Sequence, residues 1–304
     1  MEDLERKGFR SEAVRKEILR LKKRRKCRRI RIMLILGIIV VLCSAVILKS
    51  DFIDNKQIEL TYYQLSSDQI NSPVRLVIMA DLHSGTFGEK NERLKTQLQE
   101  LEPDLILMAG DMINDTDTDV SGIVDLCGYL VKIAPVYYIL GNHEGNLMYT
   151  GKKVPLDKYL YEAGVHFMYT NYETITVNGN VLKIGAMAAN AETYNEEDAQ
   201  FEAEFEEGKE FKILMAHYPD LFTDRLQSVK VDLGVAGHYH GGLIRIPGIG
   251  GLFHWDTGFF PAYAGGLYPW GEGNLIVTRG LGNHGLIPRI NNKPELVVVD
   301  ISPR

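Results

Sequence analysis

From residue 73 onward, runs of four to seven apolar residues alternate with longer stretches in which apolar positions recur every third or fourth residue. Short runs bounded by glycine and polar residues predict strands buried on both faces, and the longer periodic stretches predict helices. Strands are expected at Val74 to Ala80, Asp104 to Ala109 and Val136 to Leu140, separated by helices over Glu89 to Leu101 and Val120 to Ile133. This βαβαβ order implies a parallel sheet. After a helix near Leu156 to Ala163 the pattern turns strand-rich, with runs at Val165 to Tyr169, Glu173 to Val177 and Val181 to Met187. A polar helix, Asn195 to Glu206, leads to a strand at Phe211 to Ala216, a helix over Pro219 to Gln227 and a strand at Val231 to Ala236. Closing strands are expected near Gly242 to Ile246, Asn274 to Thr278 and Glu295 to Ile301. Two sheets between helices fit this count better than one. The expected fold is α/β, a four-layer αββα sandwich of two mixed sheets, without internal repeats.

The N-terminal stretch follows a different pattern. Residues 1–31 carry 14 Lys and Arg against 5 Asp and Glu, a charge of +9, so a net charge of −6 leaves −15 for the rest. Between Arg31 and Lys49 lie 17 uncharged residues, Ile32 to Leu48. About 17 to 25 apolar residues cross a bilayer core, and Lys and Arg on a short flank hold that side in the cytoplasm. The expected order is a basic cytoplasmic segment (1–31), a transmembrane helix (32–48), a linker (49–72) and an extracytoplasmic domain (73–304). The protein would then be a single-pass protein of the cell membrane. Charged residues throughout 3–26, with apolar ones at loosely helical spacing, predict an amphipathic helix that meets anionic headgroups. Lys49-Ser50-Asp51-Phe52 lacks a small-x-small cleavage pattern, so an uncleaved anchor is expected. Of the 3 cysteines only Cys127 falls in the outer domain, which therefore holds no internal disulfide. The whole chain, 45% hydrophobic and 24% charged, is ordinary for a globular protein, so the chemistry must be read from motifs.

Each of five expected strands is followed directly by residues of metal-ligand type: Asp81-Leu82-His83, Gly110-Asp111, Gly141-Asn142-His143-Glu144, His217 and Gly237-His238-Tyr239-His240. Carboxylate, imidazole and amide oxygen suit borderline divalent ions such as Mn, Fe and Zn, and strand ends are where open α/β sheets build active sites. Asp81 and His83 share a face if the chain stays extended there, and both can then grip one ion. Asp111, after the neighbouring parallel strand, can bridge two ions. Asn142 offers a neutral oxygen, and His238 and His240 repeat the spacing of two. Any one cluster is weak evidence, but five in register with five strand ends spell a two-metal hydrolase. Two ions about 3.5 to 4 Å apart can lower the pKa of a water between them and stabilise the attacking and leaving oxygens of a displacement. The absence of a nucleophile elbow and of a Cys and His pairing agrees with water as nucleophile, and the absence of a P-loop excludes nucleotide hydrolysis by that route. The metallo-β-lactamase cluster H-x-H-x-D-H is absent too.

In these motifs the chain resembles the calcineurin-like metallophosphoesterases, whose signature is D-x-H, GD, GNH[E/D], H and GHxH in this order. Within them it is similar to a bacterial membrane-anchored phosphodiesterase branch, through Gly237 to Gly242 and the RGLG segment Arg279 to Gly282. The likeness spans about residues 73 to 301. It implies two divalent ions (Mn, Zn or Fe), with Asp81, His83 and His240 on one, Asn142, His217 and His238 on the other, and Asp111 between them. It implies that His143 stands near the leaving-group oxygen as general acid or charge stabiliser. Leu243, where Gln is common, and Tyr239, where Thr is usual, depart from the pattern without touching the ligands.

The segment Phe253 to Trp270 holds both tryptophans among many glycines and prolines, which predicts an irregular loop. Trp255 is a candidate contact for a lipid or sugar portion of substrate, and Arg279 and Arg289 are candidates for a second phosphate or, equally, for surface ion pairs. The function expected is hydrolysis of a phosphodiester or pyrophosphate bond at the cell envelope, on a phosphorylated or lipid-linked substrate. The alternatives are a phosphomonoesterase, a nucleotide-linked lipid pyrophosphatase and, outside enzymes, a metal-loaded envelope binding protein. A monomer without a nucleic-acid partner is expected.

Overall fold

The computed structural model describes residues 2–52, 56–283 and 288–304, and the chain divides into two compact units, Met1–Lys49 and Ser50–Arg304. Through the first runs a single helix, α1 (Glu2–Phe52). Met33, Leu34, Ile35, Leu36, Ile38, Val40 and Val41 on it are exposed. Among the described residues, no helix is long and apolar enough to cross a membrane. The segment expected to span is thus helical, but its 17 residues give about 25 Å of helix against a hydrocarbon core of about 30 Å. The side chains of residues 2–14, about half of the expected amphipathic helix, lie outside the described ones.

The second unit contains helices α2 (Glu92–Glu100), α3 (Ser121–Leu130), α4 (Asn142–Gly145), α5 (Leu156–Glu162) and α6 (Glu196–Glu206). Its strands are β1 (Glu59–Ser67), β2 (Val74–Met79), β3 (Leu105–Met108), β4 (Val136–Ile139), β5 (His166–Met168), β6 (Asn171–Val177), β7 (Asn180–Met187), β8 (Phe211–Ala216) and β9 (Leu233–Ala236). Two short hairpins follow, β10 (Arg245–Ile246) with β11 (Gly250–Gly251) and β12 (Phe253–His254) with β13 (Gly258–Phe259). The last strands are β14 (Gly266–Trp270), β15 (Gly273–Val277) and β16 (Glu295–Pro303). They form two six-stranded sheets, in the orders β1-β16-β2-β3-β4-β5 and β14-β15-β9-β8-β7-β6. Both are mixed: β2 to β5 run parallel while β16 opposes β2, and β7, β8, β9 and β15 run parallel while β6 and β14 oppose their neighbours.

All of β3 is buried, which is why its sequence shows no polar alternation. Leu105 and Leu107 face the core between the sheets, beside Ile213 and Val235 of the second sheet. Ile106 and Met108 face outward, under Leu94 and Leu98 of α2 and Leu126 and Leu130 of α3. On the far side Phe201 and Phe205 of α6 cover Leu214 and Leu275. Helices therefore flank two stacked sheets, as expected. Burying each such side chain contributes about 2 kcal/mol.

Two expectations are corrected. The linker 49–72 contains β1, which pairs in parallel with β16 along its whole length. Its inward residues Tyr63 and Leu65 are flanked by Thr61, Gln64 and Ser66, so the strand is too polar to show as an apolar run. The helix expected over Pro219 to Gln227 ends two residues early: residues 219–225 are helical, the last five, Leu221–Arg225, as a wide π-type turn. Leu221, Phe222 and Leu226 pack against the sheet there.

Candidate metal centre

The parallel strands β2, β3, β4, β8 and β9 each end one to four residues before a ligand-type side chain, and hydrogen bonds lock the loops beyond them together. Asp81 N–H donates to Gly110 O at 3.0 Å and His83 N–H to Asp111 O at 3.1 Å. The expectation that the chain stays extended here does not hold. Asp81, His83, Asp111, His238 and His240 all have left-handed φ angles, 52°, 48°, 53°, 72° and 47°, at a cost of about 1 kcal/mol each. These turns, rather than strand alternation, bring Asp81 with His83 and His238 with His240 to one place. Two glycines make room. A side chain on Gly141 would occupy the carboxylate of Asp111, and one on Gly280, itself at φ 69°, would strike that of Asp81. The second contact gives the RGLG segment its place, packed against Asp81.

All the donor atoms converge. Asp111 Oδ2 lies 3.1 Å from His217 Nε2 and 4.0 Å from both His83 Nε2 and His143 Nε2. Asp81 Oδ1 lies 3.8 Å from His240 Nε2 and 3.9 Å from His217 Nε2. His83 Nε2 is 3.1 Å from His240 Nε2, and His238 Nδ1 is 3.2 Å from His217 Nε2. Ligands about 2.1 Å from a common ion stand roughly 3 Å apart, so these pairs have ligand spacing. Among the described residues, three groups built from these side chains have ligand atoms all within 4.8 Å of one another: Asp81, His83 and His240; His83, Asp111 and His143; and Asp111, His217 and His238. Asn142 lines the same cleft, of about 190 Å³, with His83, Asp111, His143, His238, His240, Leu243 and Trp255. A larger cavity of about 540 Å³, at the opposite ends of β8, β9 and β15, holds none of these side chains.

The residues fit divalent ions. Asn142 Oδ1 and His240 Nδ1 are buried without a hydrogen-bond partner among the described residues. Burial pushes the Asp81 carboxyl up to about 7 against the opposing charge of His217. Burial acts likewise on Asp111, but His217, His83 and His143 outweigh it and hold Asp111 below the usual carboxylate range. Burial drives His238 and His240 down, which keeps lone pairs on their ring nitrogens. A buried carboxylate short of compensating charge beside neutral imidazoles is what a cation would relieve. His217 Nδ1 is 2.7 Å from Ala109 O and donates to it, leaving Nε2 to face Asp111 Oδ2 and His238 Nδ1.

Glu144, the last residue of its motif cluster, is a buried support whose role the spacing did not predict. The carboxylate of Glu144 accepts from Asp111 N–H and Met112 N–H at 2.8 Å each, from Gly141 N–H at 2.9 Å and from Tyr138 OH at 2.6 Å. Its place after Gly141-Asn142-His143 was the available signal. Trp255, a candidate contact, lines the cleft and is 68% exposed. Arg279 does not line it: its guanidinium is held by Glu295 at 2.7 Å and Glu59 at 2.9 Å. Arg289 is buried and bonds the carbonyls of Arg279, Gly280, Gly282 and Asn292. Of the two readings open for these arginines, a second phosphate or an ion pair, Arg279 shows the ion pair, and both fasten the chain around Gly280 behind Asp81.

Two sheets closing on a cluster of carboxylates, imidazoles and an amide define a metal-dependent hydrolase. Residues 74–242 match the calcineurin-like phosphoesterases, and the chain belongs to that family. It is thus a metal-dependent phosphoesterase. It is 27% identical over 254 residues to phosphodiesterase YaeI of Escherichia coli (strain K12), covering 80% of this chain and 88% of that one. It is 28% identical over 257 residues to the uncharacterized metallophosphoesterase YkuE of Bacillus subtilis (strain 168), covering 81% and 86%. Among solved structures, the 5'-nucleotidase precursor of Thermus thermophilus aligns with a TM-score of 0.42 at 19% identity, over 67% of this chain and 48% of that one. The chain thus spans about half the length of that protein.

Proposed function

We propose that this chain hydrolyses phosphodiester or pyrophosphate bonds of envelope or lipid-linked substrates at a two-metal centre. Asp81, His83 and His240 would hold one ion, Asn142, His217 and His238 the other, and Asp111 both; Mn, Zn and Fe suit this donor set. The observation that carries the reading is the position of Asp111 Oδ2, at 3.1 to 4.0 Å from histidines of both groups. When bound, the ions supply Lewis acidity and acidify the attacking water.

His143 has a separate part. Its Nδ1 accepts the Asp115 N–H at 3.1 Å, so the ring proton sits on Nε2, which faces Asp111 across the cleft. That N–H can donate a hydrogen bond to the leaving-group oxygen as charge develops on it. A cleft of about 190 Å³ admits a phosphoryl group but not a nucleotide or a lipid, so the rest of the substrate would lie against the rim at Leu243 and Trp255. The phosphodiesterase name of the Escherichia coli relative supports a diester. The basic flank and exposed apolar stretch of α1 support a membrane anchor with the catalytic unit outside.

The test is metal analysis with a panel of small mono- and diesters. Two ions per chain and preference for diesters are expected; one ion, or faster turnover of monoesters, would replace this reading with a phosphomonoesterase. Protease added to intact protoplasts should remove the catalytic unit and spare the basic tail. Protection until lysis would reverse the orientation.

A further inference from the structure

The motif series stops at Gly242, yet one contact to the metal centre comes from beyond it. In the turn between β12 and β13, Asp256 Oδ2 lies 2.6 Å from His238 Nε2. The other nitrogen of that ring, Nδ1, points into the cleft at 3.2 Å from His217 Nε2. A carboxylate on one side of an imidazole places the proton there and leaves the lone pair on the other side for an ion.

We propose that Asp256 is the positioning residue for His238, so that the hairpin β12–β13 is a working part of the metal centre. The proposal rests on His238 being a metal ligand. His217 is oriented by a backbone carbonyl of β3's own loop, whereas His238 is oriented by a side chain that is 61% exposed, on a hairpin of two-residue strands. The ring of His238 otherwise meets the faces and edges of Tyr218 at 4.6 Å and His254 at 5.1 Å, which restrain its tilt but do not select its tautomer.

His238, His254 and Asp256 also have ligand atoms within 4.8 Å of one another, which raises the alternative of a third ion. Two distances speak against it. A separation of 2.6 Å is a hydrogen bond and is shorter than the roughly 3 Å between two ligands of one ion. His254 Nδ1 already accepts the Asp256 N–H at 3.3 Å.

Carboxylates in this position typically contribute 10- to 100-fold to metal affinity. The full chain, stripped of metal, would be titrated with Mn²⁺ by calorimetry, with bound metal counted after dialysis. Asp256→Ala should weaken one ion about 10- to 100-fold and leave the other unchanged, without altering the melting temperature of the metal-free protein. Asp256→Asn keeps an acceptor for the His238 proton and should retain much of the lost affinity. His238→Ala should lose the same ion outright. Unchanged titrations in Asp256→Ala, with an ion lost in His238→Ala, would overturn the positioning role while sparing the ligand. Two unchanged ions in His238→Ala would overturn the ligand assignment itself. Three ions in the parent, with one lost in Asp256→Ala, would make Asp256 a direct ligand and also overturn the proposal.

Discussion

The two sheets bring different chemistry to the same cleft. The loops after β2, β3 and β4 bring both carboxylates, Asp81 and Asp111, together with His83, Asn142 and His143, whereas the loops after β8 and β9 bring only imidazoles, His217, His238 and His240. The acidic half carries its own brace, because the four hydrogen bonds to Glu144 fix the loops of Asp111 and Gly141 together. The imidazole half leans on the acidic one: His217 bonds Ala109 O, and His238 N–H donates to Asp81 at 3.1 and 3.2 Å. Damage to the acidic half should therefore reach both ions, while damage to the imidazole half should stay local.

The largest effect should come from Asp111→Asn. The substituted side chain can still accept from His143 N–H, which is 2.9 Å from Oδ1, so the loop should hold its shape. An amide in place of Oδ2 removes the charge that both ligand groups face. Turnover should fall about 10³-fold or more, some 4 kcal/mol, with metal content reduced and the melt of the stripped protein little changed. Two ions bound at full activity would break the comparison, since the acidic half would then not be shared.

Next in size is His143→Ala, which should keep both ions and slow turnover by roughly 10²- to 10⁴-fold, the usual contribution of a positioned acid or base. The loss should be smaller for a leaving group as good as nitrophenolate, which needs little protonation. Equal losses for good and poor leaving groups would assign His143 to charge stabilisation. Lost metal would move it among the ligands, where its 4.0 Å approach to Asp111 Oδ2 also allows it to stand.

The same asymmetry decided what could be read from the sequence. Strands such as Leu105–Met108 are buried on both faces, so they appear as plain apolar runs and were legible with their ligand residues at their ends. The edge strand β1 has a half-solvated face and reads as polar chain. The left-handed turns at Asp81 and His238 leave no periodic trace, because their stability comes from contacts across the two sheets rather than from neighbours in sequence. The contacts of Arg279 and Asp256 were hidden for a related reason. Which of two charged residues faces a cleft depends on partners far away in sequence, here Glu59 and Glu295 for one and His238 for the other.

Glu144→Gln tests whether the acidic half depends on its brace. A glutamine would turn an amine toward one set of backbone N–H groups, leaving buried donors without an acceptor. About 3 kcal/mol of stability should be lost, or roughly 6 to 12 °C in melting temperature for a unit of this size. Turnover should fall about 10- to 100-fold as the Asp111 loop loosens. A stable variant with unchanged metal affinity would show that the two halves are equally self-supporting.

The smallest effect on hydrolysis should come from Glu295→Gln, which separates the cleft from the fastening behind it. Burial pushes the Glu295 carboxyl up, but the charge and hydrogen bonds of Arg279, at 2.7 to 2.9 Å, outweigh burial and hold it below its ordinary value of 4.5. A carboxyl with a lower pKa in the folded than in the unfolded chain stabilises the fold above the unfolded value and loses that contribution as pH falls through 4.5 and below. At pH 7, Glu295→Gln should therefore cost about 2 kcal/mol, or roughly 4 to 8 °C in melting temperature. The difference from the parent should shrink as the melts are repeated at successively lower pH below about 4.5. Turnover of a small diester at pH 7 should change less than about threefold, because Arg279 stands behind Asp81 and outside the cleft. A tenfold loss of turnover at unchanged melting temperature would return Arg279 to the substrate and show that the fastening is itself part of the site.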